Sequence, residues 1–221
     1  MKNPGVSIGK GWNNLLAGWL TRAPWVELRL DLMEDMSPVA LVALRMRCMG
    51  KEHKIMLTWS WTGQREQPLA LFREIIPWQV GWVDVPMEAP SDYRMELASL
   101  AEEWGVRTVY SCHYFAHPQQ TVPCVEQLSR QAREAFAEGA GYVKFAVYTW
   151  TKEETDKLLE WCDRINEEFT GEKRVTLMIM GEYALISRRI AIHKEFPFVY
   201  SAPDADTTTA PGQPTFQELL T

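Results

Sequence analysis

The chain has 221 residues, 46% hydrophobic and 24% charged, which is an ordinary composition for a globular protein. Its net charge of −6 and the absence of a basic stripe argue against nucleic acid as a partner. Four widely spaced cysteines and no long apolar run lead us to expect a cytoplasmic protein with reduced thiols, no metal site and no membrane association.

Short strand-like runs alternate with longer amphipathic runs along the whole chain. In chain order, the sequence predicts strand 5–8, helix 12–19, strand 25–32, helix 38–49, strand 54–61, helix 66–77, strand 80–85, helix 91–104, strand 107–113, helix 121–138, strand 142–148, helix 152–169, strand 175–180, helix 183–195, strand 198–201 and a tail helix 214–220. Eight such alternations predict one α/β domain over 1–221, a single (β/α)8 TIM barrel. A doubly wound open sheet is the alternative, but no Gly-rich phosphate turn follows the first strand.

The second predicted strand carries charges on one face. The strand period of two places Glu27, Arg29 and Asp31 on one side and leucines on the other. In a closed barrel the leucines would pack against helices and the charges would point into the interior. A solvated edge strand is the alternative.

Lys144 lies inside an apolar run that is typical of a buried strand. An ammonium loses hydration in such surroundings, which favours the neutral, nucleophilic amine that Schiff-base chemistry requires. A lysine at a strand end that reaches solvent is the alternative. His113 ends the preceding strand, and its imidazole is suited to general acid–base work unless it only caps a carbonyl.

The charges on predicted inward faces sum to zero, as burial of charge requires. The acids are Glu27, Asp31 and Asp84, and the bases are Arg29, Lys144 and Arg188. Arg188 follows the seventh strand. The alternative to an interior position is that Arg188 is an exposed arginine at the start of a helix.

Five fragments in order along the chain resemble type I 3-dehydroquinate dehydratase, an enzyme of the shikimate pathway. They are Glu27-Leu28-Arg29-Leu30-Asp31, Ser111-Cys112-His113, Gly139-Ala140 followed by Lys144, Ile186-Ser187-Arg188 and Ala210-Pro211-Gly212-Gln213. The resemblance covers nearly the whole chain and implies a lyase that converts 3-dehydroquinate to 3-dehydroshikimate. It implies no metal or other cofactor, and because the family is often dimeric it leaves a homodimer open.

The resemblance also implies a role for each matching residue. Lys144 would form the Schiff base and His113 would act as general acid and base. Arg188 would bind the substrate carboxylate, because a planar guanidinium can hold a carboxylate through two hydrogen bonds. The remaining substrate-binding positions are Thr209 and Gln213 for the carboxylate, Glu27 and Arg29 for the hydroxyls, and Ser7 at the mouth of the barrel.

The chain departs from the family pattern on the third and fourth strands. Where the family usually has an arginine and, four residues later, a glutamate that orients the histidine, this chain has Ser60 and Gln64. Arg65 or Glu66, in the loop that follows, are the open substitutes for this third-strand pair. Pro86 replaces a fourth-strand glutamate, although Asp84 before it matches the family. Two further functions therefore stay in view: another lysine-dependent barrel such as a class I aldolase, and a catalytically weakened relative that binds a cyclic hydroxy-acid.

Overall fold

The computed structural model describes residues 4–115, 122–169 and 173–221. Within them, eight strands alternate with eight α-helices. The strands are β1 (Gly5–Ile8), β2 (Val26–Arg29), β3 (Ile55–Thr58), β4 (Trp82–Pro86), β5 (Arg107–Tyr114), β6 (Tyr142–Tyr148), β7 (Val175–Met180) and β8 (Tyr200–Ser201). The helices are α1 (Trp12–Arg22), α2 (Pro38–Cys48), α3 (Glu66–Ile75), α4 (Ser91–Glu103), α5 (Val125–Ala137), α6 (Lys152–Glu168), α7 (Ala184–His193) and α8 (Phe216–Leu220).

Local capping fixes the start of several helices. The Ser37 hydroxyl accepts a hydrogen bond from the backbone N–H of Ala40, which satisfies one free donor at the start of α2. Thr151 and Glu154 form a reciprocal capping box at the start of α6. These polar contacts determine where each helix begins, while the buried faces of the helices pack against the strands.

The strands form one parallel sheet that curves into a nearly closed barrel. Strands β1 to β7 pair in sequence, and β8 pairs with β1. Between β7 and β8 the described residues show no backbone ladder, but the Thr176 hydroxyl donates a 2.8 Å hydrogen bond to the carbonyl of Phe198 across this seam. The prediction of a (β/α)8 barrel is confirmed, and the open-sheet alternative is wrong.

Aromatic side chains fill the amino-terminal end of the barrel. The Phe198 ring lies 5.3 Å from Trp25, 5.6 Å from Trp82 and 5.1 Å from Tyr142, measured between ring centroids. Each of these residues stands at or just before the start of its strand, so the rings lie in one layer. The aromatic layer therefore fills the barrel at the amino-terminal ends of the strands, and polar interior side chains can meet only toward the carboxyl ends.

The second strand is shorter than the sequence predicts. β2 ends at Arg29, and residues 30–32 form a turn of 3-10 helix. Asp31 therefore does not continue the inward face of the strand. Instead its carboxylate turns back and accepts two hydrogen bonds from Arg29, 2.9 and 2.7 Å long. Asp31, which the sequence predicts on the inward face with the other interior charges, instead forms a local ion pair with Arg29.

Candidate active site

One pocket opens at the carboxyl ends of the strands. All eight residues that the sequence singled out for catalysis or substrate binding line it. The complete lining is Ser7, Glu27, Arg29, Thr58, Ser60, His113, Phe115, Lys144, Ala146, Met178, Met180, Arg188, Tyr200, Thr209, Ala210 and Gln213. The site draws on nearly every strand, which is how a parallel barrel gathers residues distant in sequence.

Lys144 lies deep in this pocket and is only 5% exposed, so the alternative of a lysine that reaches solvent is wrong. Its Nζ is 3.3 Å from Oδ2 of Asp84 and 3.9 Å from Oε1 of Glu27. The same atom lies 4.5 Å from the centroid of the Tyr200 ring, which closes the pocket beneath it. A positive charge at this nitrogen is thus balanced by two buried acids and an aromatic face.

The two acids beside Lys144 are held by hydroxyl groups. Asp84 accepts a 2.6 Å hydrogen bond from Ser111 on the adjacent strand β5. Glu27 accepts one of 2.8 Å from Thr58 and another from Ser7, on the strands to either side of β2. Both carboxylates are therefore fixed in position before any ligand binds.

Tyr200 remains protonated in this environment. Burial raises the pKa of its phenol well above the ordinary value, and the negative charges of Glu27 and Asp84 raise it further. Its hydroxyl points to the sulfur of Met56, 3.2 Å away. Tyr200 therefore serves as a neutral floor to the pocket rather than as an acid or base.

His113 lies near the end of β5, two residues along the strand from Ser111, and is partly exposed at the pocket mouth. Its Nδ1 is 3.6 Å from Oε1 of Glu88, and its backbone N–H donates a 2.7 Å hydrogen bond to the same oxygen. The Phe115 ring stacks on the imidazole, with centroids 5.8 Å apart. Burial alone would raise the pKa of Glu88, but its contacts with His113 outweigh this and lower the pKa below the ordinary value.

Arg29 is held by several partners at the rim. In addition to Asp31, its guanidinium donates a 3.0 Å hydrogen bond to Ser60 and a 3.4 Å one to the carbonyl of Thr209. Ser60, which stands where the family usually has an arginine, thus supports the arginine of the neighbouring strand. Its hydroxyl adds no positive charge of its own.

Neither Arg65 nor Glu66, which follow β3, reaches the site. Arg65 forms ion pairs with Asp92 and Glu96 of α4, on the outside of the barrel. Glu66 is an exposed residue in the first turn of α3. Neither side chain lines the pocket, so the idea that one of them fills the missing third-strand positions is wrong.

Arg188 is a buried cation, 2% exposed, and the alternative of a surface arginine is therefore wrong. Its Nε donates to the carbonyl of Tyr200 at 2.9 Å, and Nη1 donates to those of Ile179 at 2.6 Å and Ala184 at 3.1 Å. Within the described residues it has no carboxylate at ion-pair distance, and burial lowers its pKa to about 10. The remaining nitrogen, Nη2, and the uncompensated charge suit an anionic ligand in the pocket.

The loop after β8 adds two polar residues. Oε1 of Gln213 accepts hydrogen bonds from the backbone N–H and the hydroxyl of Thr209, at 2.8 and 3.0 Å. Gly212 between them has a positive φ of 67°, and an added Cβ would lie 2.6 Å from the carbonyl oxygen of Gly181. The glycine thus lets this loop lie directly against the end of β7, where Gln213 lines the same pocket as Arg188.

Sequence reasoning missed Thr58, Tyr200 and Glu88, and also Phe115, which directly follows β5. Thr58 and Tyr200 occupy inward-facing positions of β3 and β8, so the alternation of side chains along a strand could have identified them. Glu88 lies in the loop after β4, and no pattern in the sequence marks it.

The fold and pocket define a (β/α)8 barrel with a charged site at the carboxyl ends of its strands. The family model for type I 3-dehydroquinase matches residues 20–221, and the chain belongs to this family. No curated protein matched the sequence.

Solved structures of dehydratases share the fold. The 3-dehydroquinate dehydratase from Aquifex aeolicus VF5 is 22% identical with a TM-score of 0.79, and the match covers 99% of this chain and 96% of that one. The type I enzyme from Clostridium difficile, solved with covalent modified comenic acid, is 19% identical with a TM-score of 0.77 and coverages of 100% and 91%. The enzyme from Geobacillus kaustophilus HTA426 is 20% identical with a TM-score of 0.76 and coverages of 99% and 89%.

The described residues hold neither a membrane-spanning helix nor a metal-binding cluster of His, Cys, Asp or Glu. None of their helices combines the length and apolar character needed to cross a membrane. The same residues contain no group of three His, Cys, Asp or Glu side chains arranged to bind one metal ion.

Proposed function

We propose that this protein is a lyase that dehydrates 3-dehydroquinate to 3-dehydroshikimate through a Schiff base on Lys144. Membership of the type I 3-dehydroquinase family supports the reaction. The observation that carries the mechanism is the position of Lys144: it supplies the only amine among the described residues that line the pocket, and it is almost fully buried there.

The first step joins the amine of Lys144 to the ketone carbon of the substrate. The ammonium first loses a proton, and Asp84, 3.3 Å away, is placed to accept it. The neutral amine adds to the carbonyl to give a carbinolamine. Asp84 then returns its proton to the carbinolamine hydroxyl, which leaves as water, and an iminium remains. The iminium carries its positive charge where the ammonium was, so Asp84 and Glu27 balance both states without moving.

The second step removes the hydroxyl group. His113 takes the proton from the carbon next to the iminium carbon, and the electron pair moves toward nitrogen to give an enamine. The hydroxyl on the following carbon then leaves as water with the proton returned by His113, and a carbon–carbon double bond forms. Hydrolysis of the new iminium releases the product and restores the lysine, so one water is lost overall.

The rest of the pocket binds the ring substituents. Nη2 of Arg188 and the amide of Gln213 would hold the substrate carboxylate, with the Thr209 hydroxyl beside them. Glu27, Arg29 and Ser7 would contact the ring hydroxyls, since a carboxylate can accept more than the two hydrogen bonds that Glu27 already has. Every group that these steps need comes from the chain, so we propose no cofactor.

A second candidate function is a catalytically weakened relative that binds the same kind of cyclic hydroxy-acid. Ser60 favours it, because this residue contributes a hydroxyl where the family usually has a guanidinium, and Arg65 pairs elsewhere. The family match leaves the class I aldolase alternative without support.

A direct assay separates these two functions. Purified protein is incubated with 3-dehydroquinate and the appearance of the conjugated product is followed by ultraviolet absorbance, with Lys144→Ala in parallel. Turnover that depends on Lys144 supports the dehydratase. Binding of 3-dehydroquinate without turnover would support the weakened relative instead.

A homodimer, a cytoplasmic location and a role in the shikimate pathway for aromatic amino acids are further proposals that rest on the family resemblance. Sedimentation equilibrium at micromolar concentration tests the first of them.

A further inference from the structure

The loop after β4 brings a carboxylate to the histidine at the pocket mouth. Oε1 of Glu88 accepts the backbone N–H of His113 at 2.7 Å and lies 3.6 Å from the imidazole Nδ1. The first contact fixes the carboxylate against the end of β5. The second is slightly longer than a hydrogen bond, a distance that is common before substrate is bound and that a small side-chain rotation would shorten.

A carboxylate at Nδ1 has a definite effect on an imidazole. It favours the tautomer with the proton on Nδ1, and it leaves Nε2 free to act as a base toward the pocket. The same anion stabilises the imidazolium that forms when the base takes a proton. Stacking of Phe115 on the face of the imidazole restricts the rotation of the ring.

The other acids near the site are committed elsewhere. Asp84 accepts hydrogen bonds from Ser111 and Lys144. Glu27 accepts hydrogen bonds from Ser7 and Thr58 and lies 3.9 Å from the ammonium of Lys144. Asp31 pairs with Arg29. Among the described residues, Glu88 is thus the one acid at ion-pair distance from His113.

We infer that Glu88 is a positioning residue that orients His113 and supports its protonated form during proton transfer. It would take over the function of the orienting carboxylate whose usual third-strand position holds Gln64, an exposed residue here. This inference rests on the proposed dehydratase function for its kinetic consequence, but the contact between Glu88 and His113 can be tested without any turnover.

The variants Glu88→Gln and Glu88→Ala separate charge from structure. Glutamine can still accept the backbone N–H of His113, whereas alanine cannot. We expect both to lower kcat by roughly tenfold or more while KM changes little, because the histidine acts in the chemical step and not in substrate binding. Trapping of the Schiff base with borohydride should be unaffected in both. The matched control is Glu66→Gln, an exposed glutamate outside the pocket, which should leave kcat unchanged.

A nuclear magnetic resonance measurement tests the contact itself. The nitrogen shifts of the His113 ring, assigned with the variant His113→Gln, should show the Nδ1-protonated tautomer in the unsubstituted protein and a mixture of tautomers in Glu88→Gln. Wild-type kcat in Glu88→Gln, or an unchanged tautomer, would overturn the inference. If the unsubstituted protein shows no turnover, the proposed function fails, but the tautomer result still decides the role of Glu88.

Discussion

The guanidinium of Arg188 donates a 2.9 Å hydrogen bond to the carbonyl of Tyr200. The same side chain bonds to Ile179 on β7, so it bridges the seam between β7 and β8 where the described residues show no backbone ladder. Arg188 therefore does two things: it joins the ends of the sheet, and it presents a buried positive charge to the pocket. The hydrogen bonds that join β7 to β8 therefore also fix the guanidinium of Arg188, which would bind the substrate carboxylate.

Replacement of Arg188 should affect both binding and stability. In Arg188→Gln we expect KM to rise roughly 10- to 100-fold, because a charge-assisted contact to the substrate carboxylate is lost. The carbonyls left without a donor should lower the free energy of unfolding by about 1–3 kcal/mol. Steady-state kinetics and urea denaturation measure the two effects. Arg189→Gln, at an exposed neighbouring arginine, is the control, and an unchanged KM in Arg188→Gln would remove this residue from the site.

The close approach of Gly212 to Gly181 predicts a second effect. In Gly212→Ala the new Cβ meets a backbone oxygen 2.6 Å away at a positive φ, so the loop that carries Thr209 and Gln213 must shift. We expect KM to rise and stability to fall by on the order of 1–3 kcal/mol. Gly50→Ala is the matched control, because it has a similar positive φ of 76° but open space around it. Equal KM values in the two variants would argue against the positioning role of Gly212.

His113 should be needed after the Schiff base forms and not before. In His113→Ala we expect kcat to fall roughly 100- to 10,000-fold, the usual contribution of general acid–base catalysis. Borohydride should still attach the substrate to this variant. His193→Ala, at an exposed histidine near the end of α7, should behave like the unsubstituted protein. Full turnover in His113→Ala would refute the assignment.

The four thiols should differ sharply in reactivity. Burial raises the pKa of Cys48 and of Cys112 to about 12, and it raises that of Cys162 well above its ordinary value. The thiolate is the reactive form, so these three remain protonated and inert near neutral pH, whereas Cys124 is exposed. A soluble thiol reagent should therefore label one thiol in the native protein and four after denaturation. Rapid native labelling that persists in Cys124→Ser would contradict the burial of the other three.

Much of this architecture follows from the pattern of residues. Strand and helix periods located every element of the barrel, and the inward phase of the strands placed Lys144, His113 and Glu27 in one interior. Asp31 was placed wrongly because its hydrogen bonds with Arg29 end the strand early, a local polar contact that overrides the period of two. The seam between β7 and β8 depends on three-dimensional closure and has no local signal.

The loop after β4 shows a different limit. Pro86 and Gln64 suggest that the histidine lacks an orienting acid, since the expected positions hold other residues. Glu88 reaches His113 because a turn follows β4 directly, closed by the backbone N–H of Ala89 on the carbonyl of Pro86. The backbone N–H of Met87 donates to the carbonyl of Ser111 and keeps this turn beside β5. A glutamate in a loop is usually solvated, so its role depends on the folded structure and not on its place in the sequence.

The central claim is that the buried amine of Lys144 attacks the ketone of 3-dehydroquinate. The most direct test is to incubate the protein with this substrate and borohydride and to map the modified residue by peptide mass spectrometry. We predict one covalent addition, on the peptide that contains Lys144, and none in Lys144→Ala. An unmodified Lys144 peptide in a protein that turns over the substrate, or an adduct on a different lysine, would contradict the account.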